Sequence, residues 1–103
     1  MQTISSQRYI DESIVDQKID AQDFIVAVSP VFEFDGQQFR VVMDGHHSLA
    51  AAREAGVEPE FVEQDASEND KIGLLDDGKL EDFMELAWID SDWYDVETGA
   101  GIW

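Results

Sequence analysis

The sequence predicts a single α/β (α+β) domain in which a small mixed sheet packs against helices. Three observations support this fold class: a continuous apolar run of strand length at residues 24–28, a hairpin pattern at residues 31–43, and an alanine-rich helical pattern at residues 48–55. At 103 residues the chain has the usual length of one domain, so we assign residues 1–103 to one folding unit.

The first 23 residues carry one weak pattern, which predicts a short helix. Apolar residues recur there at roughly helical spacing, and two acidic residues suit the first helical turn. The apolar residues are Ile10, Ile14, Val15 and Ile19, and the acidic ones are Asp11 and Glu12.

The run Phe24–Val28 predicts a strand buried on both faces, because it contains no polar residue. Pro30 ends it. The next segment predicts a hairpin that turns within residues 35–38. With Gly36 and Gln37 as a two-residue loop, Phe34 would face Phe39, and Phe32 would face Val41.

Ser48–Ala55 predicts a helix, and Gly56 is placed to close it in the left-handed conformation. Val57–Glu63 predicts an edge strand, because Pro59 cannot donate a backbone hydrogen bond. The readable core of the sheet therefore covers about residues 24–63, and residues 64–103 form an acidic C-terminal extension.

This extension predicts two further helices and one strand. Ser67–Asp70 has the spacing of a capping box, and the short helix after it should end at Gly73. The second helix should be capped by Asp76 or Asp77. Its buried face is formed by Leu80, Phe83, Met84 and Ala87. Residues 93–98 predict a final strand, and residues 99–103 a loose tail.

The charge is strongly negative: 24 acidic residues face six basic ones, for a formal net charge of −18. Sixteen of the acidic residues, but only Lys71 and Lys79 among the bases, lie from Glu54 onward. Such a surface argues against direct binding of duplex DNA or anionic membranes, which need lysine and arginine. The charge serves either solubility and salt tolerance, or docking on a basic protein partner.

The chain has no cysteine, which excludes disulfides, thiolate zinc sites and a catalytic thiol. It shows neither a signal peptide at its N-terminus nor an apolar stretch of spanning length. We therefore expect a soluble cytoplasmic protein without a membrane partner.

Asp44-Gly45-His46-His47, at the entry to a predicted helix, is the main candidate for chemistry. Glycine allows close approach of a ligand, and a helix N-terminus binds phosphate or carboxylate through free N–H groups. The histidines could donate hydrogen bonds to the same anion. Alternatively, Asp44 only caps the helix while the histidines pack. Asp44 and His46, with His47, are also candidate metal ligands.

Residues 42–56, Val-Met-Asp-Gly-His-His-Ser-Leu-Ala-Ala-Ala-Arg-Glu-Ala-Gly, resemble the signature of the ParB N-terminal domain and sulfiredoxin superfamily. Members include DNA-segregation proteins that bind and hydrolyse CTP, ATP-dependent sulfinic acid reductases, and ParB-like nucleases. The resemblance implies that Gly45, His46 and His47 face phosphate, with Ser48 beside them and Asp44 shaping the turn. The implied cofactor is a nucleotide, CTP or ATP, with Mg²⁺.

The sequence departs from the family pattern in three ways, and these departures argue against the family's known activities. Ser48 stands where the family usually has a phosphate-clamping arginine. The reductases need a cysteine in this motif, and the chain does not continue into the DNA-binding domain of the segregation proteins. We therefore expect a stand-alone binding or regulatory module with a basic partner. The alternatives are a nucleotide- or metal-dependent phosphohydrolase or nuclease using Asp44, His46 and His47, and an acidic DNA-mimic inhibitor.

The sequence has two further groups of candidate residues, the C-terminal aromatics and four scattered bases. The C-terminal aromatics either anchor the last elements to the core or form a docking surface ringed by carboxylates. They are Trp88, Trp93, Tyr94 and Trp103. Four bases are too scattered along the chain to predict a basic groove: Arg8, Lys18, Arg40 and Arg53.

Overall fold

The computed structural model describes residues 1–103 and contains six strands and four helices. In chain order these elements are β1 (Gln2–Ser5), α1 (Glu12–Asp20), β2 (Ile25–Val28), β3 (Phe32–Phe34), β4 (Gln37–Asp44), α2 (His46–Ala55), β5 (Glu60–Glu63), α3 (Ile72–Asp76), α4 (Leu80–Ala87) and β6 (Tyr94–Asp95).

The strands form one mixed sheet in the order β5-β2-β4-β1-β6, with β3 pairing along β4. The pairs β1–β4 and β2–β5 are parallel, and the other pairs are antiparallel. The predicted α/β (α+β) class is thus confirmed. No helix of the chain is both long enough and apolar enough to cross a membrane.

Two apolar clusters pack the helices onto the sheet. The first joins Ile72 of α3 and Phe83 and Ala87 of α4 to the strand residues Ile4, Phe39 and Val41. The second joins Leu49 of α2 to Val26, Val28 and Val42, with Tyr94 and Val96 from the C-terminal segment. Residues 64–103 therefore supply side chains to both clusters, so the acidic segment is packed into the same fold as residues 24–63.

The first 23 residues contain the predicted helix and a strand that no pattern predicted. Asp11 caps α1, because its carboxylate accepts a hydrogen bond from the Ser13 amide at 2.9 Å. Strand β1 has two buried polar residues, Thr3 and Ser5, beside Ile4, so it lacks the apolar alternation by which strands are recognised.

The hairpin exists, but its predicted register is wrong. Phe32 lies opposite Phe39 and Phe34 opposite Gln37, so the two-residue loop is Asp35-Gly36. Both loop residues have positive φ, 54° and 77°, as a type I′ turn requires. Asp-Gly satisfies that requirement, whereas the predicted loop would have placed Gln37 at positive φ.

Strand β2 is not buried on both faces as predicted. Val26 and Val28 are buried, but Ile25 is 52% exposed, so the strand has one core face. Strand β5 does lie at the edge of the sheet, after Pro59, as predicted. Its partner β2 is therefore second from that edge.

Several predicted helix ends are wrong. Helix α2 begins two residues before the predicted Ser48, although Gly56 closes it with φ 71° as expected. Gly73 lies inside α3 and does not end it. Helix α4 is preceded by Lys79 and has no side-chain cap, so neither Asp76 nor Asp77 serves as its N-cap.

The C-terminal residues do not form the predicted loose tail, because Gly101 pairs with Tyr94 and Ile102 packs against the core. Strand β6 is only two residues long, but the chain then turns back, and the Ile102 amide donates to the Trp93 carbonyl at 3.0 Å. Ile102 and Trp93 pack against the first apolar cluster, whereas Trp88 is 53% exposed. Of the four C-terminal aromatics, Trp93 and Tyr94 therefore pack against the apolar clusters, as the anchoring alternative expects, and Trp88 does not.

Candidate functional site

The backbone between β4 and α2 needs glycine at position 45. Gly45 has φ 92°, and a Cβ added there would lie 2.7 Å from the Ile25 carbonyl oxygen and 3.0 Å from the Val26 Cα. A side chain is thus excluded by both conformation and space. This close approach to β2 fixes where α2 begins.

The N-terminus of α2 has no side-chain cap. Gly45 is the N-cap residue, and the Asp44 carboxylate accepts a hydrogen bond only from the Gly45 amide, at 2.8 Å. The alternative in which Asp44 caps the helix is therefore wrong. Since α2 has ten residues and an uncapped first turn, its leading N–H groups can serve an anion.

His46, the first residue of α2, is 9% exposed, and neither of its ring nitrogens has a hydrogen-bond partner. Burial is the main cause that lowers the pKa of His46, the neighbouring His47 lowers it further, and Asp90 and the nearby backbone of Tyr9 oppose the shift. Most buried polar groups in proteins are hydrogen-bonded, so this ring is unusual. The residue borders two pockets, although its ring nitrogens are themselves buried.

His47 has a different role from its neighbour. Its Nε2 accepts a hydrogen bond from the Asp11 amide at 3.1 Å, and its ring centroid lies 5.7 Å from that of His46. Because Asp11 caps α1, this bond joins the beginnings of the two helices. The predicted phosphate-facing position is thus already occupied by a structural contact.

Ser48 is 1% exposed and lies in a pocket of about 280 Å³ beside Lys18 and Asp23. Lys18 of α1 forms an ion pair with Asp23 at 2.9 Å, which is the main cause of the lowered pKa of Asp23. Lys18 also borders the pocket of about 200 Å³ at the turn, with Asp44, Gly45, both histidines and Ser48. Lys18 is the one cation that borders the two pockets lined by Ser48.

A third pocket, of about 500 Å³, runs along the side of α2 from His46 to Arg53, and we call it the α2 cleft. Arg8 enters it from the segment before α1, with its guanidinium 4.0 Å from the centre of the Tyr94 ring. Arg53 donates a hydrogen bond to the Val96 carbonyl. The lining residues are Arg8, Ile10, His46, Leu49, Ala50, Arg53, Glu54 and Tyr94.

The α2 cleft brings together two of the four bases that are scattered along the chain. Arg8 and Arg53 meet there, with Glu54 as the single acidic residue, in a chain of net charge −18. Arg53 lies seven residues after His46, so helical spacing could have shown that the two share a face. No sequence signal could have placed Arg8 or Lys18, because both depend on how α1 packs on α2.

The predicted metal ligands do not form a set. No group of three or more histidine, cysteine, aspartate or glutamate side chains lies close enough to hold a metal ion, so Asp44 and His46 have no third ligand from the protein. The residues fit the phosphates of a nucleotide better than they fit a metal ion. A buried imidazole without a hydrogen-bond partner, an uncapped helix and three cations surround the α2 cleft and the pocket at the turn.

Comparison with protein-family models, with curated proteins and with solved structures finds no match to this chain. The chemistry of the site therefore rests on the residues themselves.

Proposed function

We propose that this chain is a ParB-like binding module of the cytoplasm, which takes a phosphate-bearing ligand at the N-terminus of α2 and responds to it through a basic protein partner. The ligand class is a nucleotide, CTP or ATP, with Mg²⁺ supplied on its phosphates. The observation that carries the proposal is His46, whose two ring nitrogens are buried without partners beside the uncapped helix.

The charges around His46 are mixed: three cations lie near it, with Glu54, Asp44 and Asp90 as acidic neighbours. Arg8 and Arg53 border it on the side of the α2 cleft, and Lys18 on the side of the turn. Because the molecule as a whole repels anions, a phosphate ligand depends on these contacts at short range. A buried ring nitrogen that gains a charged partner contributes more than an exposed one, since water does not compete for it.

The enzyme alternative uses the same turn and is the second candidate. Asp44 is exposed at the mouth of the turn pocket and could orient an attacking water on a bound nucleotide. His46 would then contact the phosphate, while His47 is engaged with the Asp11 amide. Hydrolysis of a bound nucleotide separates this enzyme from the binding module. The DNA-mimic alternative would need no ligand at this turn.

The test is an NMR titration of the ¹⁵N-labelled protein with phosphate, CTP, ATP and GTP, with and without Mg²⁺. We expect the amides of Gly45, His46 and Ser48 to shift on binding. His46→Leu should weaken binding about tenfold or more, because a hydrogen bond to a charged group contributes about 1.5–3 kcal/mol. Phosphate release in the same samples reports hydrolysis.

Charge-matched variants locate the phosphate. Arg8→Gln should weaken binding if the phosphate lies in the α2 cleft, and Lys18→Gln if it lies at the turn. Lys71→Gln, an exposed lysine that borders neither pocket, removes the same charge and should change the affinity less than about twofold. The proposal is wrong if no ligand shifts the three amides at about 10 mM, a concentration that detects even millimolar affinity.

A further inference from the structure

An apolar pocket lies on the opposite side of the sheet from α2, between the β3–β4 hairpin, α4 and the C-terminal segment. Its volume is about 630 Å³, which is within the range of small-ligand sites. We call it the aromatic groove. It is lined by Phe34, Asp35, Glu81, Met84, Trp93 and Trp103.

Three aromatic rings meet in this groove, and that of Trp103 is nearly perpendicular to each of the other two. The Trp103 ring centroid lies 5.1 Å from that of Phe34 at an interplanar angle of 84°, and 6.5 Å from that of Trp93 at 77°. Trp103 is nevertheless 51% exposed. The groove therefore exposes part of an aromatic cluster to solvent, and aromatic rings attract cations through their faces.

Two carboxylates flank the rings. Asp35 lies in the hairpin loop and Glu81 in the first turn of α4, and both are exposed. Neither forms an ion pair, since the single pair in the structure joins Lys18 to Asp23. Two unpaired negative charges thus border an aromatic surface, which is the arrangement that recognises an organic cation.

The groove continues beyond Phe34 and Glu81 into a smaller pocket of about 400 Å³. This continuation adds the carboxylate of Asp82 and one base, Lys79. Together the two pockets have room for more than one side chain, so they suit an extended peptide segment better than a single small molecule.

We propose that the aromatic groove binds an arginine side chain presented by a basic segment of a partner protein. A guanidinium stacks on aromatic faces and at the same time pairs with carboxylates, whereas a lysine ammonium is more strongly hydrated and lacks the planar shape. The net charge of −18 attracts a basic segment from a distance. This inference rests on the basic partner of the proposed function and does not depend on the anion site at α2.

The probe is a short acetylated and amidated peptide in which arginine alternates with alanine. The control peptide carries citrulline, which has the same shape but no charge, at each arginine. We expect the arginine peptide to shift the indole Nε1–H signals of Trp93 and Trp103 and to leave that of Trp88, which lies outside the groove, unchanged. The citrulline peptide should bind at least about tenfold more weakly, because it loses charged hydrogen bonds.

Matched variants separate the groove from the general negative charge. The double variant Asp35→Asn, Glu81→Gln should weaken peptide binding about tenfold. Glu58→Gln, Glu60→Gln removes the same charge near β5 and should change binding less than about twofold. Trp103→Leu should also weaken binding, and its half-exposed ring makes it the safest aromatic position to replace.

Either of two results would overturn the inference. One is equal weakening by the two double variants, which would mean diffuse attraction without a groove. The other is equal affinity for the arginine and citrulline peptides, which would mean apolar docking. Titration of phosphate into the Asp35→Asn, Glu81→Gln variant should still shift the Gly45 amide, so a failure here is distinguishable from failure of the anion site.

Discussion

At Gly45 two constraints coincide: a left-handed backbone and a carbonyl oxygen of β2 in the space that a Cβ would take. Gly56 has a similar φ of 71° but has nothing within 4 Å of the added Cβ. Substitution of the two glycines therefore separates the free-energy cost of the backbone conformation from that of the steric contact.

We expect Gly45→Ala to lower the free energy of unfolding by about 2 kcal/mol or more, and Gly56→Ala by about 1 kcal/mol, which is the cost of the conformation alone. Urea unfolding of both variants measures the difference. Equal losses would show that β2 moves away from the turn at little cost.

His46 should give the protein a pH-dependent stability near neutrality. Burial lowers its pKa in the folded state, so the unfolded chain binds the proton more readily as the pH falls below the ordinary value of 6.5. The folded state is then disfavoured, and stability should fall as the pH decreases from about 7.5 to about 5.5. Urea unfolding across this range should show a steeper loss for the wild type than for His46→Leu.

The same variant should be more stable than the wild type at neutral pH. Replacing a ring with two unpartnered nitrogens by an apolar side chain of similar size removes a desolvation cost of about 1 kcal/mol or more. Increased stability together with lost phosphate binding would identify His46 as a functional residue, whereas a loss of stability would show that the ring has a structural partner.

Among the elements, the β3–β4 hairpin depends most clearly on two adjacent residues. Asp35 and Gly36 both have positive φ, and asparagine tolerates that conformation about as well as aspartate. We expect Asp35→Asn to change the free energy of unfolding by less than about 0.5 kcal/mol, and Asp35→Val to lower it by about 1–2 kcal/mol. Urea unfolding distinguishes them, and equal losses would contradict a type I′ turn.

The sequence predicts the elements whose apolar pattern is local. Helix α2, the hairpin and the apolar face of α4 follow from spacing, composition and turn residues. The hairpin register required a choice between two glycine-containing loops, and the apolar pairing of Phe34 with Phe39 favoured the wrong one. Strand β1 was missed because Thr3 and Ser5 are polar but buried, so the strand has no apolar alternation.

The sequence predicted only those residues of the candidate site that are adjacent to one another along the chain. Gly45 and the two histidines follow one another in sequence, so their placement at a helix N-terminus could be predicted. The different roles of His46 and His47 could not, because they depend on Asp11 and on burial. Arg8 and Lys18 join the site only through tertiary packing.

At the scale of the whole molecule, the chain carries 18 more negative than positive charges, and its structure contains a single ion pair, between Lys18 and Asp23. The mutual repulsion of the negative charges is greater in the compact state than in the unfolded chain, so it reduces stability. Chloride salts screen this repulsion without offering the dianion that sulfate or phosphate would bring to the site.

We therefore expect the melting temperature to rise by several degrees between about 0.01 M and about 0.5 M NaCl, with most of the rise below about 0.15 M, where the Debye length shortens to about 8 Å. Differential scanning calorimetry measures it. A melting temperature independent of salt would indicate that the charges are too widely spaced to interact.

Strand β5 has a further consequence at the open edge of the sheet. One side pairs with β2, and the other offers free backbone groups to any passing strand. Glu60 and Glu63 bound the strand and are exposed, so at neutral pH a second copy meets two negative charges before it can pair. Near the isoelectric point of about 4.1 the chain as a whole has no net charge to keep copies apart, and the edge can then act as a template for cross-β fibrils, whose growth under acid conditions is followed by thioflavin T fluorescence.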